Sequence, residues 1–231
     1  MTALEPTTEQ REIVAAVRDF VDRDVIPVAS ELEHRDEFPE ALVSTMRELG
    51  LFGTTIPEEH GGLGLGLDTY ALIVLELSRG WVTLSGILNG SFIAATMIRL
   101  HGTDEQRRRH LPLLATGELR AAFSMTEPHA GSDVQSIRTR AVRDGDDYVL
   151  TGQKLWVTNG WRAGIVMLLA KTDPDADPPH RGMTGFVVEK EPETSPPGLQ
   201  IPMPGLGKLG YKGVESTELV FDGFRTPAES V

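Results

Sequence analysis

A stretch of small, apolar and hydroxyl-bearing residues from Ala121 to Asp133, AAFSMTEPHAGSD, has the composition of a ligand-binding loop. In its first half, Phe123 and Met125 alternate with small residues, a spacing that predicts a short β-strand. Pro128 fixes its own φ angle and favours an extended conformation at the residue before it. The stretch is therefore predicted to leave the strand in a turn at this proline.

The second half of the stretch combines hydroxyl groups with conformational freedom. Gly131 can adopt a positive φ angle, which would let the backbone approach a ligand closely. Thr126 and Ser132 are predicted to place their hydroxyls, beside free backbone N–H groups, on one concave edge. Such donors suit an acceptor-rich planar heterocycle or a phosphate. The same residues would also be typical of an ordinary exit from a strand into a loop.

A second segment, QKLWVTNG from Gln153 to Gly160, contains a predicted strand. Trp156 and Thr158 are expected on the same face, because side chains alternate with a period of two. An aromatic plane beside a hydroxyl would make a suitable wall for a flat ring system. A tryptophan packed in the core of a β-sandwich is the alternative interpretation.

The composition is that of a soluble globular protein, with 40% hydrophobic and 24% charged residues in a chain of 231. The formal net charge of −12 argues against a nucleic-acid or anionic membrane surface as a partner. The absence of cysteine excludes disulfides and a cysteine nucleophile, and it fits a reducing compartment. The N-terminal MTALEPTTEQ is unlike a secretory or mitochondrial signal, and the longest strongly apolar run, Ala163 to Ala170, is too short to span a bilayer. The expected location is cytoplasmic.

Apolar residues with helical periodicity predict helices throughout the chain up to Glu118. Two of these helices begin with capping boxes, one at Thr7 and one at Thr103. Asp68 is predicted to cap a third helix at its N-terminus. The predicted helices run from Thr7 to near Pro27, from Pro39 to Gly50, from Thr69 to Arg79, from Thr83 to His101 and from Thr103 to Gly117.

After Glu118 the composition changes, because β-branched and aromatic residues become more frequent and turn signals recur at short spacing. Asp144-Gly145 is a strong hairpin signal between two such runs. The predicted strands are Ile137 to Val142, Asp147 to Thr151, Lys154 to Thr158, Ile165 to Lys171, Thr184 to Glu189 and Thr217 to Asp222. The predicted fold is α+β and multidomain: an all-α N-terminal domain at residues 1–118 is followed by an antiparallel β-barrel or sandwich domain at residues 119–231.

Acid–base and metal chemistry find little support in the residues alone. The six histidines lack metal-ligand spacing, and the chain has no GxSxG nucleophile elbow. The carboxylate of Glu127, in a Thr-Glu-Pro turn, is better suited to fixing the loop than to catalysis, and Asp133 is predicted to accept from backbone N–H groups of the next turn. His180 and Arg181 follow the exposed loop DPDADPP, where they could meet a phosphate or simply belong to the surface.

The segments TEPHAGSD and QKLWVTNG together resemble the acyl-CoA dehydrogenase family. Three further segments resemble the family in the family's own order: IPEEHGGLGLG at residues 56–66, GTDEQRRRHLPLLATGELRAAFSMTEP at 102–128 and KLGYKGVESTELVFDGFRTPAESV at 208–231. This resemblance covers most of the chain. His129 is a departure, since a small residue is more usual there, and the apolar pair Phe123 and Met125 is another. The family also has a third, helical domain after the position where this sequence stops.

The resemblance implies α,β-dehydrogenation of an acyl-CoA thioester with FAD held noncovalently between the β domain and helical domains. A proton would leave Cα, and a hydride would pass from Cβ to the flavin N5. Trp156 would pack beside the isoalloxazine ring, Thr158 would hydrogen-bond near N5, and part of Asn89 to Met97 would border the acyl chain. The residues implied to contact FAD are Phe123, Ser124, Met125, Thr126, Gly131, Ser132, Trp156, Val157 and Thr158, and those implied to contact acyl-CoA are Ser132, His180 and Arg181.

The resemblance places the catalytic glutamate in the C-terminal helical domain, so no catalytic residue is expected in these 231 residues and the chain alone should turn over negligibly. Alternatives are a non-catalytic fragment or partner subunit that binds flavin or acyl-CoA, an acyl-CoA oxidase or flavin monooxygenase of the same architecture, and a cofactor-free β-sandwich with a helical cap. The family resemblance further implies fatty acid β-oxidation, an electron acceptor such as an electron-transfer flavoprotein, and a homodimer or homotetramer.

Overall fold

The computed structural model describes residues 6–231, so the first five residues of the N-terminal sequence interpreted above lie outside the described part. Helices occupy the chain up to Ala115, and the first strand begins at Ala121. The predicted fold class, a helical domain followed by a β domain, is confirmed.

The helical half contains six α-helices within residues 6–231. Both predicted capping boxes form: the Thr7 hydroxyl accepts from the N–H of Gln10, and the Thr103 hydroxyl accepts from the N–H of Gln106. The helices are α1 (Thr8–Phe20), α2 (Ile26–Arg35), α3 (Glu40–Glu48), α4 (Leu67–Gly80), α5 (Val82–His101) and α6 (Asp104–Ala115).

Two predicted helix boundaries are wrong. The first helix does not end near Pro27, because a π-helical turn at Val21–Val25 joins α1 directly to α2. Pro27 is the second residue of α2, where the missing N–H of proline is tolerated. Asp68 is not the N-cap of α4: Gly66 has that position, and Asp68 lies in the first turn, where its carboxylate accepts from Gln10 Nε2 at 2.6 Å.

The β half is a seven-stranded, curled half-barrel sheet with the strand order β1-β4-β2-β3-β7-β6, in which β5 also pairs with β4. The sheet is mixed and not purely antiparallel, since β1 runs parallel to β4. The β2–β3 hairpin lies between these two strands in sequence and supplies the long crossover that a parallel pair needs. The strands are β1 (Ala121–Ser124), β2 (Arg140–Asp144), β3 (Asp147–Thr158), β4 (Ile165–Lys171), β5 (Met183–Glu189), β6 (Leu199–Gln200) and β7 (Ser216–Pro227).

Helix α5 joins the two halves, because its residues belong to both hydrophobic cores. Leu84 and Leu88 pack in the core of the helical half, while Ala94 and Ile98 pack against strand residues such as Ile165. Within residues 6–231, α5 alone is long and apolar enough to cross a bilayer, and 50% of its apolar window is buried inside the protein. Packing between two cores accounts for the apolar composition of this helix.

The contact between α5 and β1 depends on Gly90. A Cβ atom at this position would lie 2.5 Å from the carbonyl oxygen of Ala121 and 2.9 Å from Asn159 Nδ2. Asn159 Nδ2 in turn donates to the carbonyl of Ile87 at 3.3 Å, which ties the end of β3 to the same helix. The absence of a side chain at residue 90 therefore lets α5 lie directly on the sheet.

A buried ion pair holds the turn that follows β1. Lys154 Nζ lies 2.9 Å from Glu127 Oε1, and the two side chains are 0% and 1% exposed. The Glu127 carboxylate also accepts from the N–H groups of Arg138 and Thr139 at 2.7 and 2.9 Å, and from the Thr139 hydroxyl at 2.6 Å. Glu127 is thus committed to fixing the loop, as the sequence predicted.

Burial and hydrogen bonding act in opposite directions on this carboxylate. Burial alone would raise the pKa of Glu127, but hydrogen bonds from Thr139, Arg138 and Lys154 outweigh it and hold the pKa below its usual value. Glu127 is therefore ionised at neutral pH.

Replacing Gly90→Ala should destabilise the protein by up to about 2 kcal/mol. Alanine is favoured over glycine in helices by about 1 kcal/mol, but the added methyl group overlaps backbone that cannot move without separating α5 from β1, and overpacking costs about 1–3 kcal/mol. Urea unfolding would measure the loss. Gly207→Ala is the control, since its Cβ would meet no atom within 4 Å; equal stability of the two variants would contradict this account.

Replacing Lys154→Met should lower the free energy of unfolding by about 3–5 kcal/mol at neutral pH, because it leaves the Glu127 charge buried without its partner. Denaturant titration gives the value. As a control, Glu31→Gln breaks an exposed ion pair with Arg35 and should cost less than about 1 kcal/mol. If both variants lost the same amount, the buried pair would not hold the turn.

Acidification should reduce the difference between wild type and Lys154→Met. The folded-state pKa of Glu127 lies below its unfolded value of about 4.3. Its contribution to stability is therefore present above that unfolded value and lost as the pH falls through the folded-state pKa. Unfolding titrations between neutral and acidic pH would show this, and a difference that grows toward acid would refute the ionised state of Glu127.

Candidate functional site

A cavity of about 210 Å³ lies where α5 faces the ends of β1 and β3. One wall comes from α5, the opposite wall comes from β3 and the residues after β1, and Tyr211 closes one side. The lining residues are Gly86, Asn89, Gly90, Ile93, Phe123, Met125, Thr126, Leu155, Trp156, Thr158 and Tyr211. The cavity brings together five of the predicted contact residues from two separate segments of sequence.

Strand alternation explains which residues of the first segment reach the cavity. Phe123 and Met125 are half-buried and line it, while Ser124 between them is fully buried and faces away. The Ser124 side chain, which the sequence placed among the cofactor contacts, therefore does not line the cavity. Thr126 follows in the turn and adds a hydroxyl to the wall.

A β-bulge places Trp156 and Thr158 on the cavity side of β3. Lys154 pairs with Leu219 and Val157 with Thr217, so β3 has one residue more than β7 in this interval. Trp156 occupies this bulge with a φ of 61°, and its side chain is 54% exposed. The alternative of a tryptophan buried in the β core is thereby excluded.

The side chains of Lys154 and Val157, on either side of the bulge, point into the core. Lys154 and Val157 are both buried in the β half, at 0% and 1% exposure. Val157, another predicted cofactor contact, thus packs in the core and does not line the cavity. The backbone of Trp156 is strained, because a bulky side chain disfavours the left-handed region, and such strain is concentrated at functional sites.

The loop after the turn is exposed and open. Gly131 does not use the positive φ angle that glycine can adopt, and the turn before it is closed by reciprocal backbone hydrogen bonds between Glu127 and Ala130. A Cβ atom at Gly131 would meet no protein atom within 4 Å. Ser132 beside it is exposed as well. Neither residue lines the cavity.

Asp133 differs from its prediction. Its carboxylate accepts from the hydroxyl of Ser136, and the backbone N–H of Ser136 donates to the carbonyl of Asp133 at 3.1 Å instead of to the carboxylate. The loop at this point is therefore closed by a short 3₁₀ helix, Val134–Ser136.

His180 and Arg181 lie outside the cavity, on the exposed 3₁₀ helix Pro179–Gly182. This helix contacts the 3₁₀ helix Val134–Ser136, which directly follows the loop of Ser132. The three predicted substrate contacts thus lie on the same side of the β half.

The groups around the cavity suit recognition of a flat, acceptor-rich ring. Thr126 and Thr158, each of which carries a hydroxyl, line the same wall as Trp156, and the opposite wall is a helix with two glycines. Within residues 6–231, neither a carboxylate nor a histidine lines this cavity, and no cluster of residues suited to a metal ion is found. The cavity can bind and orient a ligand, and its one titratable lining group within residues 6–231 is the Tyr211 phenol, whose pKa is raised by burial.

Sequence reasoning missed Tyr211 and did not recognise the role of Gly86. A side chain at residue 86 would overlap the Tyr211 hydroxyl, so the phenol occupies the space that glycine leaves on α5. The spacing of Gly86 and Gly90, one helical turn apart in an apolar helix, was the available signal. Tyr211, with a φ of 61° in a glycine-rich loop, offered no comparable signal.

Family models cover nearly the whole chain. Residues 7–118 match the acyl-CoA dehydrogenase N-terminal domain, and residues 122–224 match the acyl-CoA dehydrogenase middle domain. The two matches meet close to the change from helices to strands. They include every cavity-lining residue.

Individual proteins agree with these models. (2S)-methylsuccinyl-CoA dehydrogenase of Cereibacter sphaeroides is 42% identical over 220 residues, which cover 93% of this chain and 40% of that protein. The crystal structure of an acyl-CoA dehydrogenase from Geobacillus kaustophilus matches with a TM-score of 0.91 at 36% identity, covering 99% of this chain and 59% of that one. A glutaryl-CoA dehydrogenase from Mycobacterium smegmatis in complex with FADH2 matches with a TM-score of 0.86 at 31% identity, covering 97% and 55%.

This chain spans about half the length of the proteins that it matches. The similarity extends over both of its halves and over the order of its motifs. The chain belongs to the acyl-CoA dehydrogenase family.

Proposed function

We propose that this chain is the flavin- and acyl-CoA-binding part of an FAD-dependent acyl-CoA dehydrogenase. The observation that carries this proposal is the cavity that the strained Trp156 lines together with Thr126 and Thr158. FAD bound there would supply the acceptor for a hydride from the β carbon of the thioester. The relatives support this assignment, since one of them was solved with FADH2.

The cavity residues would bind and orient the ring. Trp156 offers an aromatic plane, and Thr126 and Thr158 offer hydroxyl donors to the edge of an acceptor-rich heterocycle. Donors at that edge stabilise negative charge that develops on reduction. Ser124 and Val157 could contribute only through their backbone, because their side chains are buried on the other side of the strands.

The phosphate groups of the cofactor and of CoA would lie along the exposed loop. Nothing within the described chain requires glycine at Gly131, since its φ is not positive and its Cβ would be free of contacts. Close approach of a phosphate to the backbone supplies a reason for glycine there. Ser132 would then hydrogen-bond to a phosphate or to the pantetheine arm, and His180 with Arg181 would meet the CoA phosphates.

The proton at the α carbon would be removed by a carboxylate that is not among residues 6–231, because within these residues no carboxylate or imidazole lines the cavity and burial raises the pKa of Tyr211, which keeps its phenol protonated. Turnover by the isolated chain should therefore be negligible. This same observation favours, for the isolated chain, a second function limited to binding flavin and acyl-CoA. Adding a separately expressed C-terminal helical domain would distinguish them, since recovered activity would show a divided enzyme.

Most of the remaining assignments follow from the family. We expect a homodimer or homotetramer in the intact enzyme, a role in fatty acid β-oxidation and an electron-transfer flavoprotein as the electron acceptor. The proposed cytoplasmic location does not come from the family but from the composition, since a chain without cysteine fits a reducing compartment. One structure that this chain matches, with a TM-score of 0.90, is described as an electron transferring flavoprotein of Acidaminococcus fermentans.

Replacing Thr126→Val should raise the dissociation constant of FAD about fivefold, because it removes one hydrogen-bond donor at nearly constant volume and such bonds contribute about 1 kcal/mol. Flavin fluorescence titration would measure the constant. Thr116→Val is the matched control, since the Thr116 hydroxyl donates to the carbonyl of Leu113 at the end of α6. An unchanged constant in Thr126→Val would remove this hydroxyl from the flavin site.

Replacing Arg181→Gln should raise the dissociation constant of CoA about threefold to fivefold, and added salt should reduce the effect, as expected for an exposed charge. Calorimetric titration of the FAD-treated chain with CoA provides the measurement. Arg108→Gln, which removes an exposed charge from α6, is the control. Equal effects of the two variants would show that Arg181 acts only through net charge.

A further inference from the structure

We infer that Lys154 is a positioning residue, which holds the Met125–Thr126 peptide so that its N–H group faces the flavin cavity. The inference rests on the proposed function for the identity of the ligand. It concerns a side chain that lies behind the cavity wall and does not itself line the cavity.

Lys154 is a fully buried lysine with two hydrogen-bond acceptors. Its Nζ lies 2.9 Å from the carbonyl oxygen of Met125 and 2.9 Å from Glu127 Oε1. Lysine is almost never fully buried unless it is paired. The β-bulge that follows Lys154 keeps this side chain inside the β half while Trp156 faces the cavity. The same β-bulge therefore places Lys154 behind the cavity wall and Trp156 on the surface of that wall.

The orientation of the edge peptide follows from these contacts. The peptide bond is planar and trans, so its N–H points away from its C=O. Because Lys154 binds the carbonyl of Met125 from the interior, the N–H of Thr126 is directed away from the interior. The N–H of Leu155 donates to the carbonyl of Thr126 at 2.9 Å, which anchors the next peptide to β3 as well. Consecutive residues of β3 thus fix both peptides that flank Thr126.

Glu127 compensates the charge of Lys154 and does not itself bind the Met125 carbonyl. Its carboxylate is held by Thr139 and the N–H of Arg138. A buried ion pair is commonly no more stabilising than apolar residues of similar volume. The contribution that apolar residues could not reproduce is the hydrogen bond from Lys154 to the carbonyl of Met125.

Two variants separate charge compensation from positioning. Glu127→Gln removes the carboxylate charge but leaves Lys154, which in either protonation state can still donate to Met125. The double variant Glu127→Gln, Lys154→Met also removes this donor, and it leaves no unpaired charge in the interior. Thermal unfolding would establish that both proteins are folded. The readouts are the dissociation constant of FAD and the NMR order parameter of the Thr126 amide in the flavin-free protein.

We expect Glu127→Gln to bind FAD within about twofold of wild type and the double variant to bind about fivefold more weakly, which corresponds to the loss of one hydrogen bond. The Thr126 order parameter should fall from about 0.85 toward 0.6 only in the double variant. A double variant with wild-type FAD affinity and an unchanged order parameter would overturn the inference.

Failure of the proposed function can be distinguished from failure of the inference about Lys154. If the wild-type chain does not bind FAD, the function proposed for this chain fails, and the order parameter of Thr126 alone decides whether Lys154 positions the loop. A lower value in the double variant supports positioning, and an unchanged value refutes it. If Glu127→Gln does not fold, wild type serves as the reference for the double variant.

Discussion

The close contact between α5 and β1 is the constraint on which the cavity depends. Gly90 lets the helix axis approach the backbone of Ala121, and Asn159 binds the carbonyl of Ile87 from the end of β3. Without this approach the helical and β halves would still have their own cores, but no shared wall. The flavin site proposed here is therefore a property of the junction between the two halves.

The opposite wall depends on a single irregularity in β3. In a regular strand, side chains alternate between the two faces of the sheet. Lys154 and Trp156 would then lie on one face and Val157 on the other. The bulge instead keeps Lys154 and Val157 inside and directs Trp156 and Thr158 to the cavity. The exposure of the Trp156 ring and the burial of Lys154, which binds the turn after β1, both result from this bulge.

Much of the fold was predictable because its signals are local. Capping boxes at Thr7 and Thr103 and the Asp144-Gly145 hairpin formed as expected, since each depends on residues within one or two turns of chain. The continuation of the first helix past Pro27 was missed because a π-helical turn changes the hydrogen-bonding register without a signal in the apolar pattern.

The site was predictable in part, because local strand geometry also places some of its residues. Phe123 and Met125 reach the cavity by strand alternation, and alternation also puts Trp156 and Thr158 on one face, although the β-bulge decides which face that is. The side chains of Ser124 and Val157 are buried on the other side of their strands, so the expectation that every member of a contiguous motif contacts the ligand through its side chain was wrong. Tyr211 joins the cavity through long-range packing on Gly86. Such packing depends on the tertiary fold, so periodicity and turn chemistry do not reveal it.

The most direct test of the central claim is a map of backbone amide chemical shifts in the full chain as FAD is added. The largest changes should fall on Met125, Thr126 and Trp156 to Thr158, with smaller changes on α5 near Asn89. A wider groove of about 600 Å³ lies behind the same turn, around His129 and Asp222. Changes confined to that groove, or no changes at all, would contradict the assignment of the cavity between α5 and β3 as the flavin site.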